Sequence, residues 1–136
     1  MTERRHIRLS IALLVVFMAS GLVLETVLGL RLEGWVDDPI RREFLRLGHA
    51  HGGLLALVGL IAAWAMTTLK TPPGWARPTR LALVLSSPLV GGGFVAGGLW
   101  HGPTDPGPLV LLVPGGALMA LAALVVVAVA RPSQQG

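Results

Sequence analysis

Four apolar stretches fill most of this 136-residue chain: residues 9–30, 47–69, 81–100 and 109–130. Each is long enough to cross a bilayer, because a helix rising about 1.5 Å per residue spans a hydrocarbon core of about 30 Å in about twenty residues. Lipid offers no hydrogen-bonding partner. A spanning segment must satisfy its own backbone, and for runs of this kind only the α-helix does so. The expectation is an all-α membrane protein: one domain over residues 1–136, built as a four-helix transmembrane bundle with short loops.

Composition agrees. Hydrophobic residues make up 53% and charged residues 13%, well below the quarter or so of charged residues in a soluble domain. The net charge of +4 does not read as a nucleic-acid surface, since the arginines sit at helix ends and in links, where a membrane protein needs them. There is no Cys, which excludes disulfides, thiolate metal sites and Cys nucleophiles. Lys70 is the single Lys among eleven basic residues, and Ala, Gly and Leu abound. That bias fits a GC-rich bacterial source and hence a multi-pass protein of the bacterial inner membrane.

The basic residues give an orientation. Arg4, Arg5 and Arg8, then Lys70, Arg77 and Arg80, then Arg131 fall on one side; Arg31, Arg41, Arg42 and Arg46 fall on the other, mixed with Glu33, Asp37, Asp38 and Glu43. The larger group marks the cytoplasmic side, so both termini are expected there. Arg4-Arg5 ahead of an apolar run could open an export signal, with the bond after Gly21, which has Ala19 two residues before it, as the one suitable cleavage site; but the run continues past it to Leu30, longer than a typical signal core, so it reads as a true first helix.

Two links carry further signals. Asp38-Pro39 is a helix start, a capping side chain followed by a residue whose missing N–H is harmless in the first turn. Ile40, Phe44 and Leu47 then recur at helical spacing, so helix two is expected to begin outside the membrane at residue 39, with a bend at Gly48. The link at 71–78 reads as a turn. Residues 102–108, rich in Pro and Gly, would hold Asp105 near the membrane surface. Pro114-Gly115-Gly116 gives helix four the broken character seen in transport helices, or a packing kink.

In lipid, small residues at four-residue spacing mark the faces along which helices approach. Such faces run through Gly21 and Gly29, through Gly52, Ala56, Gly59 and Ala63, and through Gly93 and Gly97. Glu25 lies on the first, His49 on the second and His101 at the end of the third. The expectation is that these three converge near the outer surface. Two imidazoles and a carboxylate make a plausible shell for a transition metal, with His51 or Asp105 completing it.

The resulting reading is a small membrane binding or accessory protein rather than an enzyme. Its expected partners are the bilayer, further copies of itself or a larger membrane complex, and not nucleic acid. Three alternatives stand beside it. His49 and His101 could be the axial ligands of a b-type haem in an electron carrier. Glu25 could carry the proton of an oligomeric transporter, or the chain could be a structural subunit. No family is recognised. His49-Ala50-His51-Gly52 resembles helix starts in haem-copper oxidase-like subunits, but over four residues only. The lone Glu of helix one is shared with small multidrug transporters, yet lies too near one end, and the chain has no Tyr.

Overall fold

A computed structural model describes residues 1–130; the expectations placed on Arg131 and on residues 133–136 lie outside the described residues. The described chain is helical, with no strand. It comprises α1 (Glu3–Gly29), α2 (Pro39–Thr68), α3 (Pro73–Leu99), a short 3-10 turn (Pro108–Leu111) and α4 (Leu112–Val129). Four of its helical segments are long and apolar enough to cross a membrane.

The helix ends follow from local chemistry. The Thr2 side chain caps α1 by accepting from the Arg5 backbone N–H, and Asp38 caps α2 by accepting from that of Arg41 at 2.9 Å. The exits of α1 and α2 repeat one motif. Arg31 (φ 53°) and Lys70 (φ 51°) turn left-handed. The N–H groups of Arg31 and Leu32 reach Leu28 and Val27, and those of Lys70 and Thr71 reach Thr67 and Met66. These paired bonds close each helix and satisfy its last carbonyls.

Several boundaries differ from the sequence expectation. Helix α3 begins at Pro73 rather than at residue 81 and absorbs most of the expected turn. Pro73 suits the first helical position, where its missing N–H is no loss. Helix α2 runs unbroken through Gly48. That glycine provides room instead of a bend: a Cβ there would lie 2.8 Å from the Gly91 carbonyl oxygen. Pro114 falls in the first turn of α4, where N–H groups have no intrahelical partner anyway, so it opens the helix rather than breaking it.

The packing is an open bundle. Helices α2 and α3 form the central pair, α1 lies chiefly against α2, and α4 against α3; α1 and α4 do not meet. Only 11% of the apolar stretch of α1 is buried against 50% of that of α3, which makes α3 the spine. The centre of the molecule is a crossing of two glycines. The Phe17 ring of α1 wedges against Gly52 and Gly91, and a Cβ on Gly91 would come 2.8 Å from the Gly52 Cα. Ser87 fixes the register by donating to the Gly52 carbonyl at 2.9 Å. Toward the termini-bearing end, Ala62, Leu83 and Ala123 form one small core, and Met66, Ala76 and Val127 another, each with one residue from α2, α3 and α4.

The small-residue faces are largely where the spacing puts them. Gly21, Gly52, Ala56, Gly59, Ala63, Gly93 and Gly97 are buried. Gly29 is the exception, with nothing within 4 Å of where its Cβ would be.

Candidate functional site

His49 sits where α2 crosses Gly21 of α1. A side chain on Gly21 would overlap the imidazole, so the glycine creates the slot the ring occupies. The ring's Nδ1 lies 2.6 Å from the Phe17 carbonyl oxygen. A carbonyl only accepts, so Nδ1 carries a proton and donates, and Nε2 has no hydrogen-bond partner among the described residues. The Ser20 hydroxyl donates to the same carbonyl at 2.7 Å. Two side chains of the α1–α2 seam, His49 and Ser20, thus meet around one backbone oxygen.

Glu25 lies one helical turn beyond Gly21, and Arg46 three residues before His49. With Met18, Gly21, Leu22 and Leu24 they and His49 line an open cleft of about 300 Å³ between α1 and α2. Glu25 and Arg46 are exposed and do not approach each other within ion-pair distance. The structure therefore brings two of the expected donors, Glu25 and His49, to one cleft, with a guanidinium beside them.

His101 is elsewhere and differently engaged. Its Nε2 is 2.7 Å from Oδ2 of Asp38, and its Nδ1 faces the Gly102 carbonyl. Both nitrogens face oxygen acceptors, an arrangement that favours the doubly protonated imidazolium. The Gly102 carbonyl and then the Asp38 carboxylate raise its pKa above the ordinary 6.5. Asp38 is held low, first by the Arg41 backbone N–H and further by His101; Arg41 also approaches it at 3.8 Å. The pair ties the end of α3 to the start of α2.

This corrects the expected convergence. Asp38, the partner of His101, precedes His49 by eleven residues on α2, which is about 16 Å of helix rise. Two imidazoles on one ion each need a nitrogen about 2.0–2.1 Å from it, and the structure does not bring His49 and His101 together at that range. Both ring nitrogens of His101 are already turned to oxygen partners, the Asp38 carboxylate and the Gly102 carbonyl. His51 is exposed, hydrogen-bonded to the Leu47 carbonyl on its own helix and set against the Phe94 ring at 5.3 Å. Asp105 shapes its loop: its carboxylate accepts from Thr104 and its carbonyl from the Gly102 N–H. No group of three His, Asp or Glu side chains close enough to hold a metal exists among the described residues.

One buried titratable side chain is not among the candidates drawn from the sequence. His6 is fully buried, and both of its ring nitrogens lack a hydrogen-bond partner. It packs beside Ser10 and Gly59: a Cβ on Gly59 would lie 2.9 Å from the Ser10 hydroxyl and 3.7 Å from His6 Nε2. The signal was present in the spacing of His6, Ser10, Phe17, Gly21 and Leu24, one stripe that continues the packing face of α1 into its basic first turns.

No family model, no curated protein and no solved structure matches this chain.

Proposed function

We propose that this chain is a multi-pass membrane binding or accessory protein, with both termini cytoplasmic, that engages a partner through the Glu25–Arg46–His49 cleft in the outer half of the membrane. The observation that carries the reading is the exposure of Glu25 on a helix whose surroundings are otherwise apolar. Placing such a carboxylate at the centre of a bilayer is unfavourable by about 2.5–3.5 kcal/mol on insertion scales, and by less toward a helix end. Arg46 shares the cleft without neutralising it. An acceptor, a cation and an imidazole set in one apolar wall suit a polar group offered by another membrane helix. That helix belongs to a second copy or to another subunit of a complex.

The native chain has no Cys, so a single Leu22→Cys on the cleft wall gives a clean probe. In native membranes it should yield a cross-linked adduct that Glu25→Gln/Arg46→Gln abolishes and that Glu43→Gln, outside the cleft, leaves intact. No adduct, or one indifferent to the double variant, overturns the proposal. The mass of the adduct tells a second copy from a different subunit.

A metal-bridged second reading has one feature in its favour. An imidazole whose Nδ1–H is anchored on a carbonyl is oriented as metal-binding histidines are. One chain supplies two donors, Glu25 and His49, so a four-coordinate ion would need two more from a partner. A metal that co-purifies with the wild type and is lost in His49→Ala is the result this reading requires.

A further inference from the structure

The opposite end of the molecule carries a second groove, between α1 and α3, of about 510 Å³. Met1, Arg5, Leu9, Arg77, Pro78, Leu81, Val84 and Leu85 line it, and its order along the helices is regular. On α1, Arg5 is followed one turn deeper by Leu9. On α3, Arg77 is followed by Leu81 and then by Val84 and Leu85, about 11 Å of rise from the charge. The wall is therefore basic at the end of the bundle and apolar toward its middle.

Among the described residues, nothing neutralises those two charges. Glu3 is the single acid at this end among the described residues, and it is engaged elsewhere, by Arg80 at 3.9 Å and by the Thr67 hydroxyl at 3.1 Å. Among the described residues, neither Arg5 nor Arg77 has a carboxylate within ion-pair distance. An anion at the mouth of the groove would meet two guanidiniums, and an alkyl chain attached to it would lie against leucine and valine.

We infer that this groove binds an anionic glycerophospholipid, its phosphate between Arg5 and Arg77 and one acyl chain along Leu9, Leu81, Val84 and Leu85. Basic pockets between transmembrane helices at the cytoplasmic face select anionic headgroups by charge, and here the apolar half of the groove adds a requirement for the chain. The site is independent of the Glu25 cleft, which lies near the other ends of the helices.

Native mass spectrometry of the full chain in detergent, titrated with dioleoyl phosphatidylglycerol or dioleoyl phosphatidylcholine, tests this. Phosphatidylglycerol should be retained preferentially, with affinity falling about fivefold for each arginine removed. Arg5→Gln/Arg77→Gln should bring it to the phosphatidylcholine level, Arg5→Lys/Arg77→Lys should keep most of the preference, and Arg4→Gln/Arg8→Gln, on exposed residues outside the groove, should leave it unchanged. Leu85→Trp, which fills the apolar half, should weaken both lipids without touching a charge. Equal retention of the two lipids, or an equal loss in the Arg4/Arg8 variant, overturns the proposal. So does displacement by inorganic phosphate at the lipid's own concentration, which would make this a site for free anions.

Discussion

Gly91 and Gly92 are neighbours on α3 and differ chiefly in what lies outside them. A Cβ on Gly91 would overlap the Phe17 ring and come 2.8 Å from the Gly52 Cα, whereas a Cβ on Gly92 meets nothing within 4 Å. Replacing either by Ala raises intrinsic helix stability by about 0.8–1.0 kcal/mol. That gain is common to both and cancels in their difference. What remains at Gly91 is an overlap of one backbone with another, which no rotamer change relieves. Helices α2 and α3 must separate and the Phe17 wedge must loosen. Overpacking of this kind costs about 1–3 kcal/mol.

Gly92→Ala should therefore be more stable than wild type by up to about 1 kcal/mol, and Gly91→Ala less stable than Gly92→Ala by about 1–3 kcal/mol, roughly a 5- to 150-fold difference in folding equilibrium. The assay is unfolding of detergent-solubilised protein by increasing SDS fraction, followed by helicity and by the fluorescence of the four tryptophans. Coincident midpoints for the two variants, or a more stable Gly91→Ala, would refute the glycine crossing as the centre of the fold.

Two further outcomes follow from the loops. The raised pKa of His101 means that its contribution is full below its ordinary 6.5 and is lost as pH rises through the folded value; the lowered Asp38 contributes above its ordinary 3.8 and is lost as pH falls through its own folded value. The melting temperature should thus decline as pH rises past the ordinary 6.5 and through the folded value in the wild type, and less so in His101→Asn; equal declines would assign the dependence to another group. At Arg31 and Lys70, whose left-handed backbones cost a non-glycine residue about 1–2 kcal/mol, Arg31→Gly and Lys70→Gly should each raise the melting temperature. A fall in either would show that the cation at the helix C-terminus outweighs the strain.

The cleft shows how far the sequence carried the site. Glu25 and His49 were legible as ligand-capable groups on small-residue faces, and they do share a cleft. His101 was misplaced because small-residue spacing reports which face of a helix is packed, not what the loops bring to its end. In the sequence its partner, Asp38, signals a helix cap alone, whereas one carboxylate serves both roles. His6 went unread because its stripe begins among arginines that read as a solvated end. Glycine runs were ambiguous for a related reason: Gly91 and Gly93 are packed while Gly92 is not, and composition cannot tell neighbours on a helix apart until a facing helix is present.

By itself the sequence determined the number of helices, their apolar character, the Asp38-Pro39 start and most of the glycine faces. These depend on length, hydropathy and spacing along one chain, and lipid leaves an apolar run of twenty residues little alternative to a helix. Only the tertiary structure decided that α1 and α4 stay apart, that His49 turns its Nδ1 to the Phe17 carbonyl, and that His101 belongs to Asp38. Each of these depends on the relative height and rotation of two helices. Hydropathy is nearly uniform around such helices, so the choice falls to where one side chain fits into the space another residue lacks.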